Sequence, residues 1–212
     1  MEQAQPEALE SPRERRFDLN RTVALSDGVF SIAMTLLVLS ISVPQLTGAD
    51  QDGLGAALRE RWPEFRSYAI SFAVISLFWT RHHSFFRELR EVDGRITALN
   101  LVYLGLIAFV PYPTELLGLY GGEFLAVALY ALTLAVIGVL AILIRLHALR
   151  AGLLTATGER FARRENSMPG VLLVPAIFLA SIGVAAIDPR AAPYVWILIA
   201  FVRPALGRRG AR

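Results

Sequence analysis

The chain contains no cysteine, and none of its 21 basic residues is a lysine: every one is arginine. Without thiols, disulfide scaffolds, thiolate zinc sites and thiol catalysis are excluded. Charge of either sign is scarce, at 18% of residues against 55% hydrophobic, and the mean hydropathy is +0.50. That is too apolar for an ordinary soluble domain of 212 residues. A net charge of +3 and a pI near 9.7 invite a nucleic-acid reading, but the arginines sit in short gaps between apolar runs instead of gathering on one soluble face. No nucleic-acid partner is expected. Residues 1–16 also lack the apolar stretch and small-residue cleavage site of a signal peptide. They are charged and hold Pro6 and Pro12, which predicts a disordered cytoplasmic tail.

What the sequence has is long apolar runs. Windows of about 20 apolar residues, enough to cross a hydrocarbon core of about 30 Å, occur at Asn20 to Val43, Trp62 to Thr80, Ile96 to Leu119, Phe124 to Ile144, Pro169 to Ile187, and Pro193 to Pro204 with its flank. Unpaired backbone groups are not tolerated in lipid, so each run is expected to be a helix. The expected fold is an all-α membrane protein: residues 17–206 form one domain of six transmembrane helices, and 207–212 a cytoplasmic C-terminal tail. Gln51 to Arg61 is expected as a short surface helix, and Gly121 and Gly122 as a tight turn. The stretch Gly118-Leu119-Tyr120-Gly121 has a faint look of a carbonyl filter, but lacks the Thr-Val that such filters place before the glycine.

Arginine placement orients the bundle. Seventeen of the 21 arginines fall on the N-terminal flank, the second and fourth connections and the C-terminus. Only Arg59, Arg61, Arg66 and Arg190 fall on the other side. The positive-inside rule then places both termini in the cytoplasm of a multi-pass protein of the cell membrane.

The first span carries most of the chemistry. Asp27 follows Arg21 by six residues, about 9 Å deeper along a helix, and an ionisable group inside a span marks function by default. The alternative is that the helix starts later and Asp27 caps it with Ser26. With the second span running inward, Trp79, His82 and His83 reach the depth of Ser26 and Asp27, and the third span brings Asn100 there. Such groups satisfy one another by interhelical hydrogen bonds. Ser26, Asp27 and His82 hold the letters of a hydrolase triad, but adjacent helical residues point about 100° apart and form no relay. Adjacent His82 and His83 likewise diverge, so no metal site and no cofactor is expected. Ile32, Leu36 and Leu39 form a stripe continued by Leu25 and Gly28, about 140° from Asp27, with Thr35 beside Ile32. Periodicity alone reads the stripe as packing or lipid contact. Gly28, Ala33 and Ser40 are small enough to let helices approach closely.

The pattern Arg21-x-x-x-Leu25-Ser26-Asp27-Gly28-Val29-Phe30-x-Ile32-Ala33-x-Thr35-Leu36-Leu37-Val38-Leu39 resembles the first-helix signature of the transmembrane protein 175 family of potassium channels. Leu25 stands where that family usually has phenylalanine. Phe78-Trp79-x-x-His82-His83, the early Asn100, and Pro111 and Pro113 at the end of the third helix are also similar to the family. The resemblance implies a six-helix unit assembling as a homotetramer in the lipid bilayer, animal members carrying two such units per chain, with first helices lining a central pore and potassium as the permeant ion. It further implies an apolar constriction at Ile32 extended by Leu36 and Leu39, a selectivity hydroxyl layer at Thr35, and a network of Arg21, Ser26, Asp27, Trp79, His82 and Asn100 holding the pore helix. The expected function is a potassium-permeable cation channel with a hydrophobic gate, and not an enzyme, since no nucleophile, base and oxyanion donor converge. The other class to weigh is a proton-coupled secondary transporter using Asp27 and His82. Against it stand the absence of a two-half repeat and of helices broken mid-span by glycine or proline.

Overall fold

The computed structural model describes residues 12–45, 53–165 and 168–196. Among them the order is α1 (Pro12–Leu36) closed by a 3-10 turn (Leu37–Ser40), α2 (Gly53–Glu60), α3 (Trp62–Phe86), α4 (Gly94–Phe109), α5 (Pro111–Tyr120), α6 (Phe124–Arg150), α7 (Ala156–Glu165) and α8 (Met168–Ala185). A further helical turn spans 192–196. The described residues contain no strand, only an isolated antiparallel bridge between Leu89 and Leu154. Among the described residues, three helical stretches are long and apolar enough to cross a membrane: Asp18–Ser40, Gly94–Tyr120 and Phe124–Arg150.

Several boundaries differ from those read in the sequence. α1 begins at Pro12, so the last residues of the 1–16 stretch are helical instead of a disordered tail, while 1–11 lie outside the described residues. Proline suits a first helical position, where its missing N–H has no partner to lose. This early start also removes the alternative in which Asp27 caps the helix. Most of the sixth run, Pro193 to Pro204, and the tail 207–212 lie outside the described residues. The connection after α6 forms α7, a helix not anticipated.

The third run is not one uninterrupted helix. α4 ends at Phe109 and α5 begins at Pro111, with Val110 between them at helical angles, φ −53° and ψ −37°. Pro111 and Pro113 remove two backbone donors without ending the helix, so the chain bends and continues to Tyr120. α8 likewise holds Pro175 in its interior. The expectation of no helix interrupted mid-span by proline is therefore corrected at the Val110–Pro111 junction, while α8 runs on through Pro175, and that argument against a transporter is weakened.

α6 is the central post. It packs most extensively against α8 and also meets α4 and α5, while α1 lies against α3 and α4. Gly138 of α6 makes room for the α8 proline: a Cβ there would lie 3.2 Å from Pro175 Cδ. The core gathers Phe30 and Leu37 of α1, Ile75 and Phe86 of α3, Ile96 and Tyr103 of α4, Tyr130 and Ile137 of α6, and Phe178 of α8. Inside a bilayer such contacts hold through close packing and hydrogen bonds, because lipid tails are as apolar as the side chains themselves.

The two arginine-rich connections are tied together. Arg90 N–H donates to Leu153 O at 2.8 Å and Thr155 N–H to Glu88 O at 2.9 Å. Asp93 caps α4 by accepting from Ile96 N–H at 2.7 Å, and its second oxygen lies 2.6 Å from His147 Nε2 of α6. Partial burial acts to raise the Asp93 pKa, but the Ile96 N–H and His147 outweigh it and hold the carboxyl below its usual value.

Candidate functional site

α1 has two faces of opposite character. Phe30, Ala33, Leu37 and Ser40 are buried against the rest of the protomer. Leu25, Ile32, Leu36 and Leu39 are 50%, 60%, 42% and 72% exposed, and Gly28 and Thr35 share that open face. The i, i+4, i+7 spacing of Ile32, Leu36 and Leu39 explains their alignment. Of the three small residues, Ala33 and Ser40 are at the packed face, whereas Gly28 is exposed and has open space where a Cβ would stand. Leu25, at the family's phenylalanine position, lies half exposed on the stripe.

Thr35 is oriented in a chemically useful way. Its hydroxyl donates to Ile32 O at 2.8 Å, which consumes its one hydrogen inside the helix. The oxygen lone pairs remain on the open face, where they accept from water or ligate a cation.

Three helices bring polar groups together around Ser26 of α1. His82 Nε2 lies 2.8 Å from Asn100 Oδ1, Asn100 Nδ2 donates to Ser26 Oγ at 3.1 Å, and Ser26 Oγ donates to Thr22 O at 2.8 Å. With the amide nitrogen of Asn100 turned to Ser26, its oxygen accepts from His82 Nε2–H, so one directed chain runs from α3 through α4 to the α1 backbone. The imidazole is stacked between Phe86 at 4.1 Å and Tyr103 at 5.2 Å, and Ser26, His82 and Asn100 are all buried. This protein-filled setting favours hydrogen bonds that fix helix position.

Asp27 belongs to a second, more open group. Trp79 Nε1 donates to Asp27 Oδ1 at 2.9 Å, and His83 Nδ1 lies 3.6 Å from the same oxygen. The imidazole of His83 also faces the Trp79 ring at 5.4 Å. Asp27 and Ser26 are therefore neighbours in sequence with different partners, the Asp27 carboxylate with Trp79 and His83 of α3 and the Ser26 hydroxyl with Asn100 of α4. Arg21 is exposed on the same stretch of α1. No group of three or more His, Asp or Glu suited to a metal is present among the described residues.

Two other polar clusters escaped the sequence reading. Ser71 Oγ of α3 lies 2.9 Å from Tyr130 OH of α6 and accepts from Thr114 Oγ1 of α5 at 2.8 Å, a buried chain of three hydroxyls beside the Pro111 bend. Glu64 of α3 accepts from Ser42 N–H at 2.6 Å, just past the end of the 3-10 turn. Their residues are dispersed singly in apolar runs, and only the bend at Pro111 and the acidic first turn of the second run gave any signal.

Comparison with known proteins places this geometry in context. Residues 21–111 match the family described as "Endosomal/lysosomal potassium channel TMEM175", a stretch running from Arg21 to the bend. A Streptomyces collinus protein named "Potassium channel B446_29190" is 38% identical over 151 residues, covering 69% of each chain. A Bos taurus protein named "Endosomal/lysosomal proton channel TMEM175" is 37% identical over 97 residues, 43% of this chain but only 20% of that longer protein. Among solved structures, the fold is similar to that of the lysosomal potassium-selective channel TMEM175 homolog from Chamaesiphon minutus, with TM-score 0.75, 29% identity, and 87% of this chain and 95% of that one covered. By sequence and by fold, the chain belongs to the TMEM175 family.

Proposed function

We propose that the chain forms a potassium-permeable cation channel: a homotetramer of six-helix subunits in the cell membrane, with both termini cytoplasmic and the open face of α1 turned to a central pore. The observation that carries this reading is the division of α1. One face is packed and hydrogen-bonded into the protomer, and the other presents an aligned, exposed stripe of Ile32, Leu36 and Leu39 with the Thr35 hydroxyl among them. The name of the Streptomyces collinus relative supports potassium as the permeant ion.

The mechanism follows from the side chains. Isoleucines from several subunits meeting at an axis form a ring in which water is poorly held, so the pathway closes by dewetting and opens with a modest widening. Thr35 oxygens replace part of the water an ion sheds, and shedding costs less for potassium than for the smaller sodium ion. Ser26, Asp27, Trp79, His82 and Asn100, with Arg21 at the inner end, hold α1 at the radius where the ring closes.

A proton-linked reading, with Asp27 and His82 carrying the proton as in a coupled transporter, draws support from the name of the cattle relative. Its weakness is local: His82 is stacked on both faces and bonded to Asn100, and Asp27 is bonded to Trp79. Purified protein in liposomes under a potassium gradient separates the two. The channel passes current reversing near the potassium equilibrium potential; reversal that tracks an imposed proton gradient instead would overturn it in favour of proton transport.

A further inference from the structure

The outer end of α1 is held by a charged group that the pathway above does not use. Glu64 lies in the first turn of α3 and is only 4% exposed. One carboxylate oxygen accepts from Ser42 N–H at 2.6 Å, and the other accepts from Arg61 Nη1 at 3.0 Å. The position is electrostatically divided. A carboxylate in the first turn of α3 is favoured by that helix's positive end, yet it also faces the closing turn at Leu37–Ser40, where carbonyl oxygens make a negative end. Burial of the charge adds a further cost. The Arg61 guanidinium and the Ser42 N–H offset both.

α5 closes over the same spot. A Cβ at Gly118 would lie 3.2 Å from Glu64 Cα and 2.9 Å from Ser67 Oγ, so the absence of a side chain there lets α5 press the start of α3 against the end of α1. Ser42 comes directly after Ile41, whose N–H closes the last turn on Val38 O at 3.1 Å. It is also three residues beyond Leu39, the outermost member of the exposed stripe.

We infer that Glu64, braced by Arg61, is a positioning residue that latches the outer end of the pore-facing helix and sets where Leu39 stands relative to the axis. α1 is then fixed at both ends by different chemistry, with a neutral hydrogen-bond chain through Asn100 at the inner end and a buried carboxylate, paired with the partly exposed Arg61, at the outer end. The effect on permeation rests on the proposal that α1 lines the pore; the latch itself does not.

The cysteine-free sequence permits a direct test on the full chain in liposomes. A nitroxide is attached at Val43→Cys, an exposed position beside the latch, and separately at Leu25→Cys near the inner end. Glu64→Leu removes both acceptors at similar side-chain volume, and the charge it leaves behind, on the partly exposed Arg61, stays in contact with water. The result expected is loss of the immobilised component of the spectrum at position 43 with no change at position 25, partial retention in Glu64→Gln, which keeps an acceptor for Ser42 N–H, and weakened discrimination of potassium from sodium. Should Glu64→Leu not assemble, Arg61→Gln, at a partly exposed residue, gives the same readout. An unchanged spectrum at position 43 in the assembled variants overturns the latch. Loosening at position 43 with unaltered conductance and ion preference upholds the latch and overturns the pore-lining reading of α1.

Discussion

α1 and α6 are apolar helices of nearly equal length, 25 and 27 residues, and the protomer treats them in opposite ways. In the most apolar stretch of α6, 56% of residues are buried, against 22% in α1. α6 is apolar around its whole circumference and covered on most of it, with one narrower stripe of Leu132, Val136, Val139 and Leu143 left exposed. α1 carries polar anchors together with Phe30, Ala33 and Leu37 on its covered side and leaves Leu25, Ile32, Leu36 and Leu39 uncovered. An uncovered aliphatic face beside a hydrogen-bonded one is a way to hold a helix firmly while keeping its working surface free for other subunits, lipid or an ion path.

The comparison is broken most severely by making the two faces of α1 alike. Ile32→Asn hydrates the proposed ring and is expected to produce a large leak with eroded ion discrimination while assembly survives; liposome flux with potassium and sodium gradients reads it. On the covered side, Ala33→Leu overpacks a site with almost no exposed surface and is expected to cost about 1–3 kcal/mol or more, read as loss of assembled protein. If the two substitutions exchanged these effects, the assignment of faces would be reversed.

Smaller perturbations sharpen the account. Asn100→Ala leaves His82 and Ser26 without their partner and is expected to lower stability by about 1–3 kcal/mol, measured by thermal unfolding in detergent. Asp27→Ala, which frees the Trp79 N–H and removes the contact with His83, is expected to reduce assembled protein less than Asn100→Ala and to leave ion preference unchanged. Thr35→Val keeps the shape and removes the hydroxyl, so the ratio of potassium to sodium permeability should fall with little change in conductance.

The smallest effect lies at the α4 cap. Asp93→Ala is expected to cost about 1 kcal/mol. Because the Asp93 carboxyl titrates below its usual value when folded, its contribution is complete above the ordinary carboxylate range and is lost as pH falls through the lowered folded value. Unfolding midpoints measured down that acidic range should decline in the parent protein and decline less in Asp93→Asn.

Much of this was legible in the sequence, for identifiable reasons. The helical class follows from run length, since lipid leaves the backbone no other solution, and the two faces of α1 follow from the 3.6-residue period. The hydrogen bonds joining Asn100, His82 and Ser26 became foreseeable once arginine placement set span directions and hence which residues share a depth. The direction of Pro111 and Pro175 was not legible, because in water proline ends helices while in a packed bundle neighbours absorb the lost hydrogen bonds. Glu64 was missed because a single acid beside Arg61 and Arg66 reads as a surface charge; its burial depends on Gly118, more than fifty residues later. Which surface the stripe faces is a property of the assembly, which neither the period nor the protomer fold determines.

The most direct test of the pore-facing stripe uses silver ion, a thiol-reactive monovalent cation of alkali-ion size, on single cysteines in this cysteine-free chain. Ile32→Cys on α1 and Leu101→Cys on α4 are both about half exposed or more in the protomer, so only their place in the assembly distinguishes them. Progressive, irreversible loss of potassium current in Ile32→Cys, with Leu101→Cys unaffected, is the result predicted. Current that persists in Ile32→Cys under silver would contradict the account.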